Sequence, residues 1–375
     1  MSFIQLGISV LCLGLSVSLN ADPFVIPVNP DEIKIMSYNL ENLFDWKHEK
    51  GKNDYEFLPK NHPDKSKCHI NPPQYLKACY NTDWTYAKFL LKLKQIKKVV
   101  ASQGSLPDIF GVQEIENAVV ADRLAKTLGF KKFVITESKD SRGIDVALFY
   151  NEEKLRFLSH KEIEFTFSDP AISGSTRNLL VSYFQMANEK ILGVYLNHWP
   201  SQGAPSQKRY EVAKQLRAQI LEDMKQFGEK KYFVVVMGDF NTVLQDDPNG
   251  INDVLLSNSS KVRLADVEAL YYSHVELDPE EAWKVMPEEG SYFYKTKKKW
   301  NAFDRFFVSR SMIESHAVQV QMASYRKLAY PFAMAPYHTS AGEIMIPKGY
   351  EHNASGAEAA GYSDHLSIVF KIRFQ

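Results

Sequence analysis

The sequence predicts an α/β fold in which β-strands and α-helices alternate along one continuous domain. Short apolar runs that are rich in β-branched and aromatic residues, such as 232–237, end in polar side chains and are typical of buried strands. Longer segments such as 206–227 carry apolar residues at helical spacing. Neither a linker nor an internal repeat interrupts this series, so a single domain over 22–375 is expected.

The composition allows a large core and excludes a strongly basic protein. The chain has 375 residues, of which 45% are hydrophobic and 13% are aromatic. Lys plus Arg and Asp plus Glu each total 45, so the formal net charge is zero. Because the chain has no basic coat, it must hold any polyanionic substrate through local groups and a metal ion.

The first 21 residues predict a secretory signal peptide with cleavage near Ala21. Residues 3–19 are apolar and carry no charge, and Asn20-Ala21 follows them. A retained membrane anchor is the alternative, although about 17 residues is short for a membrane span. Export to the periplasm or the medium is therefore expected, with no stable membrane span after cleavage.

Two cysteines remain when that segment is removed. Cys68 and Cys79 lie eleven residues apart in the polar segment 46–83, which lacks lasting periodicity and is predicted to be a long surface loop. In an exported protein this spacing favours one disulfide. A pair of free thiols in a cytosolic enzyme is the alternative.

The remaining elements follow in chain order, and each rests on its apolar pattern and on the Gly, Pro, Asn or Asp residues that bound it. The predicted strands lie over 33–40, 107–114, 133–136, 144–150, 179–186, 191–196, 232–237, 302–308 and 363–370, with shorter ones at 262–270 and 291–294. The predicted helices lie over 84–103, 117–128 and 206–227, and a loop is expected over 325–361.

The predicted helix at 84–103 has one apolar face, which includes Phe89, Leu93 and Val100. Four lysines lie mostly on the other side: Lys88, Lys92, Lys94 and Lys98. A solvated helix surface is the expected environment of these lysines.

Polar side chains stand at six predicted strand ends: Asn39, Glu114, His198, Asp239 with Asn241, Asp304, and Asp364 with His365. On an extended backbone, Asp239 and Asn241 would project in the same direction because they lie two residues apart. An ordinary Asx turn is the alternative there. Phosphodiester hydrolysis needs a hard cation on oxygen ligands, a base for water and donors to the phosphorane oxygens. These strand ends supply all three.

With this ordered set the sequence resembles the endonuclease/exonuclease/phosphatase superfamily. The matching segments are Ser37-Tyr38-Asn39, Gln113-Glu114, Asn197-His198, Gly238-Asp239-Phe240-Asn241, Asp304 and Ser363-Asp364-His365. They span nearly the whole chain that follows residue 21. The resemblance implies a four-layer α-β-β-α sandwich of two mixed sheets with outer helices, and an active site at one rim.

The resemblance also implies a metal-dependent site. Glu114 would be the principal carboxylate ligand of Mg2+, with Mn2+ or Ca2+ as alternative ions. Asn39 would help to position this ion, and Asp364 would lie near it. Asp239 and Asn241 would hold the attacking water and the scissile phosphate.

Two histidines receive roles from the same resemblance. His365 would act as general base or phosphate contact, oriented by Asp304. His198 would contact phosphate or protonate the leaving oxygen, with Asp145 as its acidic partner, and Arg177 would contact phosphate. Buried structural acids are the alternative for Asp145 and Asp304, and a surface arginine is the alternative for Arg177.

The expected activity is hydrolysis of DNA or RNA by an exported, metal-dependent phosphodiesterase, with nucleic acid as the partner and no protein partner. Thr242-Val243 stands where inositol phosphatases carry a Tyr-Arg pair, which argues against that branch. The segments 38–45 and 197–201 are similar to those of bacterial exported nucleases. One alternative is a phospholipid phosphodiesterase of the sphingomyelinase type, which would enter a bilayer through Trp46, Trp199 or 330–332. A catalytically inactive binding protein is the other.

Overall fold

Two mixed sheets of six strands each form the centre of the computed structural model, which describes residues 31–258, 261–274, 290–340 and 342–375. In chain order the strands are β1 (Glu32–Leu43), β2 (Ile109–Ile115), β3 (Lys132–Ile135), β4 (Asp145–Tyr150), β5 (Arg156–Ile163), β6 (Leu179–Gln185), β7 (Ile191–His198), β8 (Tyr232–Asp239), β9 (Leu264–Asp266), β10 (Tyr292–Tyr294), β11 (Lys299–Asn301), β12 (Asp304–Ser309), β13 (Val318–Lys327), β14 (Met334–Thr339), β15 (Gly342–Pro347) and β16 (Ile368–Phe374). The predicted signal peptide lies outside the described residues.

The order of the strands brings several polar strand ends to one rim. The first sheet has the order β13-β16-β1-β2-β4-β3, and the second has the order β5-β6-β7-β8-β12-β9. In the second sheet β7 and β8 run parallel with His198 beside Asp239, and β12 runs antiparallel with Asp304 on the other side of Asp239. The remaining four strands form two hairpins, β10–β11 and β14–β15.

Several helices surround the two sheets, and three of them cover the outer sheet faces. The longer ones are α1 (Pro73–Asn81), α2 (Tyr86–Ala101), α3 (Ala118–Leu128), α4 (Ser206–Phe227) and α5 (Val267–His274). Single turns or short helices of other types lie at Tyr55–Phe57, Pro63–Ile70, Pro170–Ile172, Gly250–Leu255, Ser311–Glu314, Pro331–Ala333 and Ala357–Ala360. No helix within the described residues is both long and apolar enough to cross a membrane.

Three apolar clusters separate these layers. One packs α2 and α3 on the first sheet, one lies between the sheets, and one packs α4 on the second sheet. Each fully buried aliphatic or aromatic side chain contributes about 1.5–3 kcal/mol through the hydrophobic effect. Side chains of the two sheets are tightly packed at Gly111 of β2, where a Cβ would lie 2.1 Å from Cε of Met237 in β8. The predicted four-layer α-β-β-α sandwich is therefore confirmed.

The segment 46–83 differs from the predicted loop. It contains the 3-10 turn Tyr55–Phe57, the 3-10 helix Pro63–Ile70 and α1. A disulfide joins Cys68 to Cys79, whose Cα atoms are 5.7 Å apart, and both cysteines are buried beside Tyr55 and Leu58. The segment therefore has a small apolar core of its own, which its polar composition conceals.

Two further regions correct the sequence prediction. The stretch 325–361 holds the end of β13, the hairpin β14–β15 and the two helical turns Pro331–Ala333 and Ala357–Ala360. The stretch 262–270 contains a short strand followed by the start of α5. Edge strand β5 was not predicted, because most of its side chains are exposed and it lacks an apolar alternation.

Candidate active site

Asp239 is the point at which the two sheets share a polar contact. It ends β8, is almost fully buried, and lies between His198 and Asp304 in the strand register. Asn39 of the first sheet donates from Nδ2 to Asp239 Oδ2 over 3.0 Å. Three strand ends from the second sheet and one from the first therefore meet at a single carboxylate.

The turn after β8 is tighter than the extended backbone expected from the sequence. Asn241 has a φ of +47°, and its backbone N–H donates to Asp239 Oδ1 over 2.9 Å, which is an Asx turn. Asp239 and Asn241 thus contact one another and do not simply project in parallel. Gly238 has a φ of +132°, and a Cβ there would lie 2.0 Å from the carbonyl oxygen of Asn197, so only glycine fits.

Glu114 is fixed by a bulge in β1. The bulge shifts the β1–β2 register between Asn39 and Leu43. Glu114 Oε1 accepts from Asn39 Nδ2 over 3.3 Å, and its Oε2 accepts from the backbone N–H of Asn42 over 2.9 Å. Glu114 has a φ of +61°, an uncommon conformation for a non-glycine residue, which turns its carboxylate toward the rim.

His365 has the acidic partner that the resemblance implied. Its Nδ1 is 2.7 Å from Asp304 Oδ2, and its Nε2 is 3.9 Å from Asp239 Oδ2. Burial disfavours the imidazolium, but the Asp304 carboxylate, together with those of Asp364 and Asp239, outweighs burial and raises the pKa of His365 well above 6.5. The Tyr292 ring lies 4.8 Å from the imidazole and covers it.

His198 reaches the same carboxylate from the other side. Its Nε2 lies 3.7 Å from both Glu114 Oε1 and Asp239 Oδ2. Its buried Nδ1 has no hydrogen-bond partner among the described residues. Burial, together with the positive charge of Arg177, holds the pKa of His198 well below its usual value.

Asp145 does not pair with His198, which corrects the partnership implied by the resemblance. Its Oδ1 accepts from Thr136 Oγ1 over 2.7 Å, and from the backbone N–H and hydroxyl of Ser138 over 2.8 and 2.5 Å. Burial raises the pKa of Asp145 to about 6. In this geometry the carboxylate at the start of β4 organises the 136–138 turn, as a buried structural acid would.

Arg177 is buried beside the site and is not a surface arginine. It donates from Nη2 to the carbonyl oxygen of Trp199, and its Nη1 lies 3.9 Å from Asp140 Oδ2. Its buried Nε lacks a hydrogen-bond partner within the described part of the chain. The guanidinium therefore places a buried positive charge close enough to His198 to lower the pKa of that imidazole.

Asp364 joins the site through a residue that the sequence analysis missed. The backbone N–H of Asp364 donates to Glu41 Oε2 over 2.9 Å, and Ser363 Oγ donates to the carbonyl oxygen of Asn39 over 2.8 Å. Glu41 lies two residues after Asn39, the same spacing that drew attention to Asp239 and Asn241. That spacing could have identified it.

The carboxylates at this rim suit a hard divalent cation. Burial and the nearby Asp304 and Glu114 charges raise the pKa of Asp239 to about 7, although the close His365 acts in the opposite direction. Burial and Glu114 also raise the pKa of Asp364. No three acidic, His or Cys side chains in the described ranges enclose an ion by themselves. This donor set fits Mg2+, which is commonly held by one or two carboxylates while water and phosphate oxygens complete its coordination.

Comparison with known proteins identifies a family and similar folds. A model of the Endonuclease/Exonuclease/phosphatase family matches residues 34–374. An endonuclease/exonuclease/phosphatase from Bacteroides vulgatus is 15% identical with a TM-score of 0.51, and the match covers 92% of this chain and 99% of that one. A mannosyl-6-phosphatase from Bacteroides thetaiotaomicron is 14% identical with a TM-score of 0.51, over 91% of this chain and 100% of that one.

A third similar structure contains nucleic acid. D. rerio TDP2, in complex with a single-strand DNA product, is 16% identical with a TM-score of 0.50, over 92% of this chain and 99% of that one. At these identities the similarity is one of fold. No curated protein matches the sequence.

Proposed function

Since this chain belongs to the endonuclease/exonuclease/phosphatase family and is a hydrolase of phosphoester bonds, we propose that it is an exported, divalent-metal-dependent nuclease that cleaves DNA or RNA. The observation that carries the proposal is the meeting of both histidines and of Asn39 at Asp239. A binding scaffold has no need for two imidazoles with opposed pKa shifts around one buried carboxylate. The inactive alternative therefore loses support.

Each polar residue at the rim has a different role in the proposed hydrolysis. Asp239 orients the attacking water, since its carboxylate lies within 4 Å of both imidazoles. His365, kept protonated by Asp304, donates to a phosphate oxygen through Nε2. The buried guanidinium of Arg177 supplies positive charge beside Asp239 and His198, which favours a bound phosphate. His198 is neutral before substrate binds, so its Nε2 can accept a proton from water or, once protonated, return one to the leaving oxygen.

Glu114 and Asp364, with Asn39 beside them, would hold the divalent cation. When bound, such an ion polarises the phosphoryl oxygens and neutralises the charge that develops there. The protein groups would orient its ligands, and Asn39 links Glu114 to Asp239 through the two donations of its Nδ2.

The substrate assignment rests on the sequence and on the packing of aromatic residues. The segments 38–45 and 197–201 are similar to those of exported nucleases, and one similar fold, TDP2, is in complex with a DNA product. The aromatic residues considered for membrane entry are packed: Trp199 and Tyr330 are 0% and 2% exposed, and the Trp46 ring lies 4.5 Å from the Tyr86 ring in a tilted contact. Those residues therefore do not support the phospholipid alternative.

A side-by-side assay tests the proposal. Purified mature protein is incubated with Mg2+, Mn2+ or Ca2+ and with plasmid DNA, RNA, sphingomyelin or a small phosphodiester. We expect cation-dependent cleavage of nucleic acid that chelation and Asp239→Ala abolish. Alanine substitution of His198 or His365 should also reduce cleavage. His338→Ala is the matched control for these two variants, because the His338 side chain is 83% exposed and lies in β14. Lipid hydrolysis without nucleic-acid cleavage would overturn the substrate assignment.

Export has its own test. The signal peptide predicted over 1–21 implies that the mature chain begins near Asp22. Expression of the full chain in a Gram-negative host, followed by fractionation and N-terminal sequencing, should give a periplasmic or secreted product that lacks the first 21 residues. An uncleaved, membrane-associated product would favour the anchor.

A further inference from the structure

Lys92 is the lysine of α2 whose environment the sequence analysis predicted wrongly. Its side chain is 0% exposed, whereas Lys94 and Lys98 on the same helix are exposed. Its Nζ donates to the carbonyl oxygen of Glu41 and lies 4.2 Å from the centre of the Tyr350 ring. It forms no direct ion pair with any described residue. Burying an ammonium group costs free energy unless nearby polar or charged groups compensate the lost hydration.

The Glu41 carboxylate bridges the β1 bulge to the chain that leads to Asp364. Its Oε2 accepts from the backbone N–H groups of Tyr350 and Asp364, over 2.5 and 2.9 Å. The backbone N–H of Glu41 donates to Asn39 Oδ1 over 3.0 Å. Glu41 therefore links its own strand, β1, which carries Asn39, to the loop that carries Asp364.

The bulge also fixes the opposite side of the cation site. Glu41 and Asn42 both have positive φ, +50° and +64°, and the Asn42 N–H donates to Glu114 Oε2. Because these backbone conformations are unfavourable for side-chain-bearing residues, they persist only where surrounding contacts enforce them. Lys92 supplies one such contact from the helix side of the sheet.

We propose that Glu41 is a positioning residue, supported by Lys92, that holds Glu114 and Asp364 in register and thereby sets the affinity of the site for its divalent cation. The inference rests on the proposed function in one respect, the assignment of these two carboxylates to the cation. Neither Glu41 nor Lys92 needs to touch substrate for this role.

Two measurements on Glu41→Gln test the role. Hydrogen exchange of the metal-free protein reports the Tyr350 and Asp364 amides, and calorimetric titration with Mn2+ reports cation affinity. A neutral amide oxygen is a weaker acceptor than a carboxylate, so both amides should exchange faster. The dissociation constant for Mn2+ should rise about 10- to 100-fold, the usual effect of losing a group that orients metal ligands. Turnover at saturating cation should change less than the cation requirement does.

Glu351→Gln is the matched control. It removes a carboxylate from the loop that Glu41 contacts, where the exposed Glu351 side chain accepts from the backbone N–H of Asn353. This control should leave exchange at Tyr350 and Asp364, and Mn2+ affinity, unchanged. If Glu41→Gln behaves like Glu351→Gln, the positioning role is wrong.

The variant Lys92→Met distinguishes support of Glu41 by Lys92 from simple repulsion of the cation by the Lys92 charge. Methionine fills similar space but neither donates to the Glu41 carbonyl nor carries a charge, so we expect weaker Mn2+ binding. Tighter binding would show that Lys92 only repels the cation, and would overturn its supporting role. Should Lys92→Met fail to fold, Glu41→Gln decides the proposal alone. Amide exchange requires no turnover, so faster exchange in a protein that cleaves no nucleic acid would refute the nuclease and not the positioning role.

Discussion

The two histidines of the site have the same chemistry and opposite surroundings. His365 has the Asp304 carboxylate at 2.7 Å behind its ring, whereas the Nδ1 of His198 has no partner among the described residues and Arg177 lies nearby. The pKa of His365 is accordingly raised and that of His198 lowered. The Nε2 atoms of both histidines lie at similar distances from Asp239. The partner of Nδ1 therefore decides which histidine carries a proton before the reaction starts.

The largest expected effect comes from the carboxylate that both histidines share. Asp239→Asn keeps the shape of the side chain but removes the charge that faces both imidazoles. We expect nucleic-acid cleavage to fall on the order of 10³-fold, comparable with the loss of a major electrostatic contact in an active site. Asp122→Asn, an exposed substitution on α3, should retain full activity. Equal activity in the two variants would remove Asp239 from the mechanism.

Removing the acid behind His365 should make the two histidines alike. Without the Asp304 carboxylate, only the Asp364 and Asp239 carboxylates oppose the effect of burial on His365, so its pKa should fall. We expect Asp304→Asn to reduce cleavage at pH 7 about 100-fold, within the range of general acid–base effects. The pH–rate profile measures this change directly. A profile identical to that of the wild type would contradict the partnership.

The Asp304–His365 pair should also appear in the pH dependence of stability. The raised folded pKa means that the contribution of His365 is complete below about pH 6.5 and is lost as pH rises through the folded value. Relative to His365→Gln, the wild type should therefore be more stable at pH 6, by about 3 kcal/mol for a broken buried pair. This difference should shrink under alkaline conditions. Urea unfolding across the pH range measures it, and a difference that grows with pH would refute the sign.

The smallest effect is expected at Asp145. Because its carboxylate bonds to Thr136 and Ser138, Asp145→Asn should leave the His198 pKa unchanged and reduce activity less than about threefold, well below the general acid–base range. A loss as large as that of Asp304→Asn would show that Asp145 pairs with His198 during the reaction. In that case the two histidines would be more alike than this structure indicates.

The sequence was most informative where local pattern and tertiary structure agree. Helix α4 spans the predicted 206–227, and the apolar run 232–237 lies within β8. Polar residues at strand ends also predicted the position of the site, because polar side chains are disfavoured within strands that are buried on both faces. Those residues meet at one rim as the strand order requires.

Local pattern failed where a distant contact decides the environment. The amphipathic pattern of α2 predicts that Lys92 is solvated, yet Lys92 is buried and donates to a carbonyl oxygen of the β1 bulge. The isolation of Asp145 from His198 likewise depends on contacts outside the strand of Asp145, with Thr136 and Ser138. Spacing along one strand cannot give these contacts.

Nitrogen NMR of the metal-free protein, with both histidines assigned through His198→Gln and His365→Gln, tests the central contrast most directly. At pH 7 we expect His365 to show the two protonated ring nitrogens of an imidazolium. His198 should show the pattern of a neutral imidazole and remain neutral below pH 6. A neutral His365 beside a protonated His198 would contradict the proposed mechanism, because it would exchange the protonation states assigned to the two histidines.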